Sequence, residues 1–212
     1  MAPCITPVVW CRWIGMSGRL EGRLGPVRWR LSLLFPALVT LLLLCQPEGL
    51  ALPCLLASLI HEGGHLLAML AAGCPPESCT VGAFGARIVI DGQHMPGYGR
   101  QIFISLAGPG INLVAAAMLW AVRCPRAAMV HGALGVFNLL PAGALDGGQV
   151  LRSLLCLRGT PERAERVLRV VSAVVLLPLA AGALYLALSG RGNGSLLIVS
   201  LYLTGLVFWD VR

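Results

Sequence analysis

The 212-residue chain is 57% hydrophobic and only 12% charged, with a mean hydropathy of +0.82, whereas an ordinary soluble domain is about half apolar and about a quarter charged. That balance excludes a soluble protein of ordinary surface and points to an all-α polytopic membrane protein in a lipid bilayer. Spans of about 20 residues leave almost no length for a second domain. The net charge of +7 comes wholly from arginine, and in such a chain a basic excess reports topology, so no nucleic-acid partner is expected.

Residues 1–28 carry Arg12, Arg19, Arg23 and Arg28 among Gly and Pro, without a signal-peptide core. They are expected to form a basic cytosolic N-terminal tail, with Met16 as an alternative start. Residues 29–212 are then a single transmembrane domain. Six hydrophobic segments follow, at about 29–46, 50–72, 101–122, 127–142, 168–189 and 194–210. The second and third are joined by "CTVGAFGARIVIDGQHMPGYG" (79–99), where β-formers alternate with Gly and Asp91-Gly92 can turn a hairpin. This is expected to be a short β-hairpin dipping toward the membrane; a surface loop is the alternative. With an inward N-terminus, only Arg123, Arg126 and Arg191 of the sixteen basic residues face outward, which predicts both termini in the cytosol. The eight Cys are scattered and do not read as a disulfide framework, and Cys74 and Cys79 read as free thiols beside a turn-rich loop.

The second segment contains "SLIHEGGHLLAML" (58–70), in which His61, Glu62 and His65 interrupt an otherwise apolar helix. Ionisable groups at membrane depth are costly and mark function. Residues four apart lie one turn apart on one helix face, so His61 and His65 can present two imidazoles to one ion, with Glu62 angled beside it. This HExxH spacing is that of a zinc site whose Glu serves as general base. The alternative is a helix whose His residues bond to backbone or to each other.

A catalytic zinc needs a third protein ligand and an open position. Of the three Asp, Asp91 lies in the expected hairpin and Asp210 at the C-terminus, leaving Asp146 in "FNLLPAGALDGGQVL" (137–151). Asn138 and Pro141 begin a break in the fourth helix there, and Gly147 and Gly148 would permit a tight turn after the ligand. An ordinary helix-terminating loop is the other reading of this stretch.

HEGGH in an apolar helix, followed by N-x-x-P-x-x-x-L-D-G-G at the end of a later one, resembles the site-2 protease family of intramembrane zinc metalloproteases. "LAGPGINLVAA" (106–116) is similar to that family's Gly-Pro-x-x-Asn helix. The resemblance covers about residues 29–156. It implies that His61, His65 and Asp146 bind Zn²⁺, that Glu62 is the catalytic base, and that Asn138 belongs to a substrate-contacting segment. It also implies a membrane-embedded protein substrate cleaved within or near a transmembrane segment. With neither an inserted PDZ domain nor a cystathionine-β-synthase-type domain, the chain looks most like the small six-helix bacterial branch, which includes the sporulation enzyme that releases a sigma factor. A transcription-factor precursor as substrate, and a bacterial cytoplasmic or forespore-surrounding membrane, follow as expectations. The remaining His are read as a satisfied core histidine (His131) and a solvated one (His94). From a different class, an ion or proton-coupled transporter could use the same His, Glu and Asp residues, and a scaffold could keep zinc for structure alone.

Overall fold

The computed structural model describes residues 10–14, 19–24, 27–32, 50–82, 85–90, 96–143 and 145–189. Its elements are β1 (Trp10–Ile14), β2 (Arg19–Leu24), β3 (Val27–Ser32), α1 (Ala51–Ala71), β4 (Pro76–Gly82), β5 (Gly85–Ile90), α2 (Tyr98–Ala121), α3 (Pro125–Asn138), α4 (Asp146–Arg158) and α5 (Pro161–Leu188).

The five strands form one sheet in sequence order. Each neighbour pair is antiparallel except β3 and β4, which run parallel with Arg28 opposite Ser78. A parallel pair needs a long crossover, and the connection between β3 and β4 includes α1. Stretches such as "VRWRLS" alternate apolar and basic residues with the period of a strand. The sheet changes two expectations. The segment read as a tail supplies β1, β2 and the start of β3, which also takes up the first residues of the expected first span. The expected hairpin becomes part of this sheet: β4 and β5 pair up to Gly82 and Gly85, ahead of the Asp91-Gly92 pair expected to turn it. Residues 91–95, with Asp91 and His94, lie outside the described residues, as do most of the expected first span and all of the sixth.

Three described helices are long and apolar enough to cross a membrane: Ala51–Ala71, Tyr98–Ala121 and Pro161–Leu186. They correspond to the second, third and fifth expected spans. The fourth is shorter than expected, since α3 has 14 residues, about 21 Å of helix against a hydrocarbon core of about 30 Å. The fifth begins earlier, at Pro161, because Thr160 and Pro161 form a helix start ahead of the apolar run; the Thr160 hydroxyl accepts from the Arg163 amide at 3.4 Å.

Helix packing inverts the soluble pattern. On α1 the large residues Leu52, Leu56, Leu59, Leu67 and Leu70 face outward, while Ala57, His61, Gly64 and Ala68 face inward. Lipid gives no hydrophobic reason to bury leucine, so contacts between helices fall to small residues that let backbones approach. A Cβ on Gly64 would meet the Ala107 carbonyl oxygen and Ile111 Cγ2, each at 2.8 Å, and one on Gly135 would meet Leu113 and the Pro109 oxygen at 3.1 Å. These glycines set how closely α1 and α3 lie on α2. Helix α2 packs against α1, α3 and α4, and α5 closes on α4.

Candidate metal centre

His61 and His65 lie one turn apart on α1, as their spacing requires, and Asp146 reaches them from the first residue of α4. The break that delivers it runs from Leu139 to Leu145. Helix α3 ends at Asn138, whose side-chain nitrogen Nδ2 donates to the Leu134 carbonyl at 3.0 Å. The irregular segment is pinned by Ser172 of α5, whose hydroxyl accepts from the Gly143 amide at 2.8 Å and donates to the Leu168 carbonyl at 2.7 Å. Ala142, Leu145 and Leu176 form an apolar cluster beneath it, with Phe137 and Leu140 packed alongside.

Gly147 and Gly148 have another use than the turn expected of them. They lie inside α4, and a Cβ on either would collide with main-chain atoms of Leu139 and Leu140 or of Ala142. Their lack of a side chain lets the first turn of α4 lie against the broken end of α3. Asp146 therefore opens a helix rather than ending one, and its carboxylate sits where the helix dipole favours negative charge.

The ligand atoms converge. His61 Nε2 lies 3.0 Å from Asp146 Oδ2, His65 Nε2 lies 3.3 Å from the same oxygen, and the two Nε2 atoms are 3.2 Å apart. Three ligands of a tetrahedral zinc, at the usual bond lengths of about 2.0–2.1 Å, would be separated by about 3.3 Å. The trio could hold a metal ion, and its spacing and donor set fit zinc. His65 is oriented by its other nitrogen, since Nδ1–H donates to the Ile104 carbonyl of α2 at 2.8 Å, leaving the Nε2 lone pair for the centre. Its ring lies over Gly108, where a Cβ would overlap the imidazole. His61 Nδ1 lies 3.2 Å from the side-chain nitrogen of Asn112, whose oxygen is 3.2 Å from His131 Nδ1.

Glu62 follows His61 on α1 and is half-buried, turned about 100° from it around the helix axis. Asn138 is tied to its own helix as described. Cys74 is buried and unpaired, and Cys54, Cys124 and Cys156 are also free thiols. Sequence reasoning assigned no role to Asn112, Gly108 or the Ile104 carbonyl. Asn112 had a signal of the same kind as HEGGH, a single amide in the apolar helix "LAGPGINLVAA", whereas a main-chain carbonyl has none.

The model of peptidase family M50 matches residues 123–179, the stretch that carries Asn138, Asp146 and Ser172. Over 190 aligned residues the chain is 33% identical to the Mycobacterium tuberculosis protein Rip3, named as a zinc metalloprotease, covering 80% of this chain and 45% of that one. Over residues 123–179 the chain matches peptidase family M50, the site-2 protease family. A second relative, the Synechocystis protein sll0528, also named as a zinc metalloprotease, is 33% identical over 114 residues, 48% of this chain and 30% of its own length. The chain thus spans less than half the length of these curated relatives. The fold matches that of a site-2 protease from Methanocaldococcus jannaschii with a TM-score of 0.65, at 18% identity, over 97% of this chain and 96% of that one. The M50 match and the three apolar helices together mark an integral membrane protein.

Proposed function

We propose that this chain is a zinc-dependent endopeptidase that hydrolyses a peptide bond within or near a transmembrane segment of a membrane-bound protein. The observation that carries the reading is the convergence of two imidazole Nε2 atoms and one carboxylate oxygen within 3.0–3.3 Å, inside a bundle whose exposed large apolar residues, among those described, are mostly leucine and valine. His61, His65 and Asp146 are the ligands, a set that leaves an open position for chemistry. When bound, zinc supplies Lewis acidity, which lowers the pKa of water to about 7 and polarises a carbonyl.

Glu62 does the proton work. Beside the ligands rather than among them, its carboxylate takes the proton from the attacking water and returns it to the departing amine. A substrate helix hides its carbonyls in its own hydrogen bonds, so it must unwind before attack. Strand β5 pairs only with β4 among the described residues, and its other edge suits an unwound segment through main-chain bonds. Asn138, at the end of α3, would bond to the substrate backbone. The same reading takes the bacterial cytoplasmic membrane as the setting, with both termini cytosolic.

The test is co-expression with candidate single-span membrane proteins, wild type against Glu62→Gln. Specific cleavage fragments are expected with the wild type and none with the variant. Equal fragments from both would remove Glu62 from the chemistry.

A further inference from the structure

Among the described residues, the polar side chains that are almost wholly buried are His61, Asn112, His131, Ser153 and Ser172. Ser172 pins the break and Ser153 donates to Gln101. The other three form one chain, in which the Asn112 amide, 0% exposed, bridges the Nδ1 atoms of His61 and His131 at 3.2 Å each. A buried amide is costly unless both ends are paired, and here each end meets an imidazole.

An amide accepts at one end and donates at the other, so what it offers His61 dictates what it asks of His131. With its nitrogen toward His61, as drawn in the structure, His61 carries its proton on Nε2. Half a turn of the amide exchanges the ends without moving either ring, and oxygen and nitrogen differ little in size. An imidazole that gives its Nε2 lone pair to a metal carries its proton on Nδ1 and needs an acceptor there.

We infer that Asn112 and His131 are positioning residues for His61. The Asn112 oxygen accepts the His61 Nδ1 proton, and the Asn112 amide nitrogen donates to His131 Nδ1, which leaves the His131 proton on Nε2. His131 is needed because without an acceptor in that place the amide nitrogen would be buried unpaired, and the orientation that serves His61 would lose its advantage. The inference rests on the metal reading above and adds two residues that touch neither metal nor substrate.

The full chain in detergent, labelled with ¹⁵N-histidine and titrated with Zn²⁺, tests it directly. In the zinc-loaded wild type, His131 should be neutral with Nδ1 unprotonated and Nε2 protonated. In competition with a chelator, His131→Leu should bind zinc about 10–100-fold more weakly, while His131→Asn, which restores an oxygen acceptor near the Nδ1 position, should bind close to wild type. A proton on His131 Nδ1 in the zinc-loaded wild type would overturn the inference. So would a folded His131→Leu with wild-type zinc affinity. If His131→Leu does not fold, the wild-type spectrum decides alone. A wild type that binds no zinc would sink the metal reading and this inference together, whereas zinc binding unaffected by His131→Leu sinks only the inference.

Discussion

Two imidazole nitrogens and a carboxylate oxygen held 3.0–3.3 Å apart face one another, an arrangement that calls for a proton or a cation between them. The donor set favours zinc over harder ions, and purified protein should hold about one zinc per chain. His61→Ala and Asp146→Ala should each bring zinc well below that ratio by elemental analysis, and full retention by Asp146→Ala would remove the aspartate from the centre. Glu62→Gln should keep its zinc, because the proposed role puts its side chain beside the ligands rather than among them. At this scale the His-Glu-His spacing was legible because one helical turn is a local fact. The pairing of Asn112 with His131 was not, since it depends on how α2 and α3 pack, and a histidine on an apolar helix looks the same with or without such a partner.

Between elements, the centre depends on close backbone approach at glycines. Gly108→Ala would drive a methyl group into the His65 ring, so zinc affinity should fall while helix content by circular dichroism stays near wild type; unchanged affinity would mean that His65 has room to shift. Gly147→Ala meets main-chain atoms of Leu139 and Leu140 instead, which cannot swing aside as a side chain can. It should cost at least the 1–3 kcal/mol typical of overpacking, read as lost thermal stability, and weaken zinc binding as well. Ser172→Ala leaves the Gly143 amide without its acceptor and should cost about 1–3 kcal/mol, read the same way. The break after α3 was legible from Asn138, Pro141 and the glycines. Helix α4 was missed because its apolar residues are interspersed with Arg152 and Arg158 and the Gly pair at its start reads as a turn. Only the backbone packed against those glycines shows that they serve closeness.

For the whole molecule, the spans were legible where apolar runs are long, as in α1, α2 and α5. The sheet was legible only in part: β5 falls within the stretch read as a hairpin, but its partner order is tertiary, and β1, β2 and the start of β3 lie where a concentration of arginine suggested a tail. The arginine distribution predicts that a reporter fused after residue 212 lies in the cytosol; an outward-facing reporter would mean that the number of spans is not six. The central claim is that the His61–His65–Asp146 centre, with Glu62 beside it, hydrolyses a peptide bond in a membrane-embedded chain. It is tested most directly in proteoliposomes holding the purified zinc-loaded protein and a single-span substrate in ¹⁸O-labelled water, with both fragments analysed by mass spectrometry. The account predicts two fragments with one labelled oxygen in the new carboxylate, abolished by zinc chelation, restored by zinc, and reduced by orders of magnitude in Glu62→Gln. Fragments that form at the wild-type rate in Glu62→Gln, or that persist after zinc is removed, would contradict it.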